Sequence, residues 1–100
     1  MQVAATSVAR IFHVTLADVA ADAQIGYMLC ERLNAKEFEE GHGIHSASVL
    51  VIKYDPGHKT VLVVTTKADV PPDRVRRAVA DAAEQCLRVC RNLRAAAEIL

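Results

Sequence analysis

Along the chain the apolar positions change period several times, and each change marks an element. From Ala47 to Tyr54 and again from Lys59 to Lys67 the residues are dense in Val, Ile, Leu and Thr, and Asp55-Pro56-Gly57-His58 separates the two runs. β-Branched residues suit a pleated surface and the Pro-Gly pair supplies turn chemistry, so a β-hairpin is expected here. Val49-Leu50-Val51-Ile52 and Val61-Leu62-Val63-Val64 are apolar without clean alternation, so both faces of the ribbon call for cover. A two-stranded ribbon does not stand alone. One face can be covered by helices of this chain; a second copy of the chain is the natural cover for the other.

Ahead of the hairpin, Leu16, Val19, Ala23, Tyr27, Cys30 and Leu33 recur at three and four residues, with Ile25 and Leu29 widening the stripe. This predicts one long helix from Leu16 to about Phe38, with Thr15 and Asp18 as a capping-box variant and Gly41-His42-Gly43 as its end. Gly26, inside the stripe, would let another backbone approach closely. After Pro71-Pro72, Asp73 is placed to cap a final helix. There Val75, Val79, Ala82, Cys86, Val89, Leu93, Ala96 and Leu100 follow a 4-3-4-3-4-3-4 spacing, an unbroken heptad-like seam. Beside it runs a polar stripe in which Arg77/Asp81 and Glu84/Arg88 are opposite charges four apart. In residues 1–14, Val8, Arg10, Phe12 and Val14 alternate as a strand would, although Val8, Ile11 and Phe12 would also suit a helix face. With a short strand placed there, the order is strand, helix, strand, strand, helix. The expectation is a single α+β domain over residues 1–100, an antiparallel sheet packed by two long helices and completed by dimerisation.

Composition narrows the function classes. With 52% hydrophobic residues, four aromatic residues and no Trp, the core must be built from Val, Ala, Leu and Ile. Twelve Lys and Arg balance twelve Asp and Glu, so no net field draws in nucleic acid, and no DNA partner is expected. No stretch approaches the roughly 20 apolar residues that span a bilayer, and the N-terminus lacks a signal-peptide pattern, which predicts a cytoplasmic protein without membrane insertion. Three cysteines are too few and odd in number for a disulfide framework.

Several residues could carry chemistry. Cys30 and Cys86 lie on apolar seams of two helices, where thiols could meet as an attacking and resolving pair; a buried free cysteine is more commonly a small hydrophobe. Neither Cys-Pro nor Cys-x-x-Cys is present to lower a thiol pKa. His42 and His45 with Cys86 and Cys90 would supply ligands for zinc, but His-Gly-Ile-His and Cys-x-x-x-Cys are not established ligand spacings. Arg10, Lys53, His58, Lys59 and Lys67 could form a modest basic patch that meets RNA phosphate, without the aromatic pair that stacks bases. Nucleotide-binding glycine loops and His-Glu-x-x-His are absent, and no cofactor is expected.

The stretch Gly26-Tyr27-Met28-Leu29-Cys30, leading to Gly43-Ile44, and the stretch Val61 to Val70 followed by Asp73 and Ala82-Ala83-Glu84-Gln85-Cys86, resemble the OsmC/Ohr family of thiol-dependent peroxidases. The likeness spans Leu16 to Ile99. It implies Cys30 as the peroxide-attacking thiol, Cys86 as the resolving thiol, and an interleaved dimer that covers the exposed sheet face. Two departures put the chemistry in doubt: Leu87 stands where the family has proline, and the N-terminal strands carrying the activating arginine and glutamate are absent or reduced to residues 1–14. The function expected is therefore a non-enzymatic oligomeric assembly or binding subunit, with a thiol peroxidase acting through Cys30 and Cys86 as the alternative and an RNA- or ribosome-associated domain third.

Overall fold

The computed structural model describes residues 2–16, 23–54 and 57–99. It is an α+β fold. In chain order the elements are β1 (Gln2–Ala5), β2 (Ile11–Thr15), α1 (Ala23–Leu33), α2 (Lys36–His42), β3 (Ile44–Tyr54), β4 (Gly57–Thr66) and α3 (Pro72–Ile99). The four strands form one antiparallel sheet in the order β1-β2-β4-β3, so β1 and β3 are its edges.

The N-terminal segment makes two strands where the alternation of residues 8–14 predicts one. Its turn is local. Thr6 Oγ1 lies 2.9 Å from the Ile11 carbonyl and accepts from the Val8 N–H, and Arg10 takes a left-handed φ of 67°. Such a φ is uncommon outside glycine, and no glycine marks this bend in the sequence. The single long helix expected over residues 16–38 is also divided. Leu16 follows β2, its N–H donating to the Thr60 carbonyl; Asp18 lies outside the described residues; and the helical chain breaks at Asn34 and Ala35. The Asn34 amide donates to the Ala47 carbonyl and accepts the Ala47 N–H, both at 2.9 Å, so a tertiary bracket to β3 takes over from the helix ladder. Ala35 is extended (ψ 147°) and starts α2, which ends as expected at Gly43, left-handed at φ 68°.

The hairpin is where the apolar runs place it, with β3 starting three residues earlier than expected and a bulge between Ile44 and Ser46. Gly57 and His58 belong to β4; Asp55 and Pro56 of the expected turn lie outside the described residues. The last helix begins at Pro72, where a missing N–H costs nothing, and Asp73 sits in its first turn rather than capping it.

Helices cover one side of the sheet. Phe12 and Val14 of β2, Leu62 and Val64 of β4 and Ala47 of β3 pack with Leu29, Cys30 and Leu33 of α1 and Val75, Ala78, Val79 and Ala82 of α3 in one core. Gly26 is what lets α1 lie this close to the sheet: a Cβ there would stand 2.9 Å from Thr60 Cγ2 and 3.5 Å from Val49 Cγ2. The seam of α3 is buried from Val75 to Ala82. Beyond Ala82, Cys86 is half-buried and Val89 is exposed, because the 28-residue helix, about 42 Å long, outruns the sheet beneath it. Among the described residues no helix is long and apolar enough to cross a membrane.

Candidate functional site

Side chains alternate across a strand, so the residues between the core-facing ones define the opposite, open side of the sheet. On β3 these are Ser46, Ser48, Leu50 and Ile52; on β4, Lys59, Val61, Val63 and Thr65; on β2, Ile11, His13 and Thr15. Among the described residues no helix covers them. The apolar part lies toward the hairpin end, where Leu50 pairs with Val61 and Ile52 with Lys59, and Leu50 and Ile52 are each 43% exposed. Val61 is shielded by its neighbours, yet it stands apart from the core cluster. Elsewhere the open side mixes Ser46, Ser48, His13, Thr15 and Thr65 with half-buried Ile11 and Val63.

The thiols occupy two different environments. Cys30 is buried in the core, and desolvation pushes its pKa up from 9.0 to about 11. At neutral pH only about one molecule in 10⁴ would hold the thiolate that nucleophilic chemistry requires. The cause of the shift is loss of water on burial. Cys86 is half-buried at the rim of a groove between α1 and α3, lined also by Met28, Glu31, Arg32, Gln85 and Val89, with its sulfur 3.9 Å from the Met28 carbonyl. Both cysteines are thiols rather than a disulfide. Cys90 lies on α3, and its side chain is outside those described.

The other sequence candidates are spread over separate surfaces. His42 stacks on the buried Phe38 ring at 5.3 Å, and its Nε2 lies 2.8 Å from Asp81 Oδ2, which ties α2 to α3. His45 is exposed on β3. Among the described residues no group of three or more His, Cys, Asp or Glu side chains could hold a metal ion. Of the basic residues, Arg10 pairs with Asp69 at 3.3 Å and Lys67 pairs with Glu39, so two of the five candidate patch residues already face carboxylates. The Lys67 ammonium holds the Glu39 carboxyl below its usual range, first by hydrogen bonding and then by charge. Lys59 is exposed, while the side chains of Lys53 and His58 lie outside those described.

Sequence reasoning missed two devices. The Asn34–Ala47 bracket joins positions thirteen residues apart, and no local pattern announces it. The His42–Asp81 pair joins a residue read as a loop member and zinc candidate to one read as the Arg77 partner on the polar stripe of the last helix. No family model, curated protein or solved structure matches the chain.

Proposed function

We propose that the protein is a non-enzymatic assembly or binding subunit that works as a homodimer. The observation that carries this reading is the exposed apolar pair Leu50 and Ile52, neighbours on the side of the sheet that no helix among the described residues covers. Large apolar side chains left in water at neighbouring positions favour association, at about 25 cal/mol for each Å² they withdraw from water. A balanced charge sets no barrier to self-association, since twelve cations meet twelve anions in each copy. The peroxidase alternative has less support, because it needs a thiolate at Cys30 and burial opposes that ion.

Light scattering on the eluting protein at about 50 μM tests this reading. A mass twice the 10.9 kDa of one chain is expected; a single 10.9 kDa species at that concentration would overturn it. Peptide mapping after stoichiometric tert-butyl hydroperoxide tests the alternative, for which a rapid Cys30–Cys86 disulfide is the required product.

A further inference from the structure

The two edges of the sheet are managed differently. β1 is four residues long, too short to template much pairing, whereas β3 has eleven residues and carries Val49-Leu50-Val51-Ile52 at its centre. Long apolar edges are what sheet proteins ordinarily blunt or pair.

The backbone direction along β3 follows from one contact. Asn34 takes both the N–H and the C=O of Ala47, so these groups point away from β4, toward the edge. In an antiparallel ladder that orientation repeats every second residue, which aims the N–H and C=O of Val49, Val51 and Lys53 outward as well. The neighbouring ladder agrees: Thr60, opposite Val51, directs its carbonyl away from β3, where it accepts the Leu16 N–H. No partner for the outward groups of Val49 and Val51 is present among the described residues. Asn34 therefore closes one end of the edge at Ala47, and the strand itself ends at Tyr54.

Resting on the homodimer reading, we propose that the free stretch Val49–Lys53 pairs antiparallel with the same stretch of a second copy, about a two-fold axis at Val51, to make one continuous eight-stranded sheet. The register is self-complementary. Val51 meets Val51 of the partner subunit, Val49 meets the partner's Lys53, and about six backbone hydrogen bonds form between outward groups. On the open side, Leu50 then faces the partner's Ile52 across the seam, and Ile52 faces the partner's Leu50. The two most exposed apolar side chains of the sheet become cross-strand partners in a non-hydrogen-bonded pair, where side chains stand closest. On the helical side, Tyr27 lies two turns before Asn34 on the same flank of the helical chain and is 62% exposed. That flank faces the edge, since Asn34 reaches Ala47 from it, and Tyr27 of each copy would close over the pairing from above.

A second copy is the occupant the geometry favours over a foreign strand. The free stretch is five residues, symmetric about Val51 in its outward donors and acceptors, and it matches Leu50 with Ile52 on the open side. A continuing peptide would run into the Asn34 bracket.

Amide hydrogen exchange by NMR on the full chain, with its mass measured in the same sample, tests the pairing. Dimer mass with Val49 and Val51 amides protected at least a hundredfold, and protection lost on dilution to monomer, is the expected result. A dimer whose Val49 and Val51 amides exchange freely would overturn the edge pairing while leaving the homodimer reading intact. A monomer would overturn both. Val51→Pro supplies a second arm, because it removes an outward donor and no bond to β4: it should convert the protein to a monomer with its circular dichroism retained, and a dimer of unchanged affinity would contradict the proposal.

Discussion

The two sides of the sheet are built from the same residue types and do different work. On β4 the core-facing positions Thr60, Leu62, Val64 and Thr66 are all but fully buried, while Val63 and Thr65 on the other side remain half-open. The pleat thus divides the hairpin's apolar runs: Leu62 and Val64 of β4 hold this chain together, while Leu50 and Ile52 of β3 point to the other side and remain exposed, although Val61 on that side is shielded by its neighbours. The lesson is that a continuous apolar strand inside a four-stranded sheet with helices on one side advertises a second layer or a second chain.

That division can be broken by matched truncations. Leu62→Ala removes a side chain with no exposed surface and should cost about 3 kcal/mol in urea unfolding under monomeric conditions. Leu50→Ala, at a position 43% exposed, should cost the isolated subunit less than about 1 kcal/mol while weakening dimerisation. Equal costs at the two sites would erase the contrast between the sides.

Gly26 tests how closely the covered side is packed. Gly26→Ala places a Cβ 2.9 Å from Thr60 Cγ2 and should cost about 1–3 kcal/mol, even though alanine is the better helix former. Thr60→Ser removes the opposing methyl, so the double variant should recover part of the loss in a double-mutant cycle. Strict additivity would show that the approach of α1 to the sheet is not what Gly26 permits.

A smaller effect separates the thiols by the same contrast. Cys30 should resist a disulfide reagent at pH 7.5 in the folded protein, while half-buried Cys86 reacts faster; preferential modification of Cys30 would revive the peroxidase reading. Burial raises the folded pKa above the unfolded one, so the folded state keeps its proton where the unfolded thiol ionises. Stability should accordingly hold below pH 9 and fall as pH rises from about 9 toward about 11 in the wild type, with that component absent in Cys30→Ala.

How much of this was legible beforehand follows from the range of the interactions. The hairpin, the final helix and the α+β class rest on runs and spacings within one segment, and the sequence reading of residues 47–67 and 72–99 holds to within a few residues. Division of the helical stretch was not legible, because Asn34 is an ordinary helix-surface residue until Ala47 of β3 lies beside it. The N-terminal turn was hidden for a related reason: Arg10 takes a conformation that sequence rules assign to glycine or asparagine. The heptad seam was legible as a pattern, but where it leaves the core depends on where the sheet ends, and Val89 lies beyond that point. For the candidate site, the apolar excess of the hairpin was plain, yet the pleat decides that Leu50 and Ile52 rather than Val49 and Val51 occupy the open side.

The most direct test of the association claim is sedimentation equilibrium of the wild type beside Leu50→Lys/Ile52→Lys, which puts two charges on the open side and leaves the core-facing residues in place. The account expects a wild-type dimer, at least a hundredfold weaker dimerisation in the double variant, and an unfolding midpoint of the isolated subunit changed by little. A double variant that dimerises as tightly as the wild type would show that the uncovered side of the sheet is not where two copies meet.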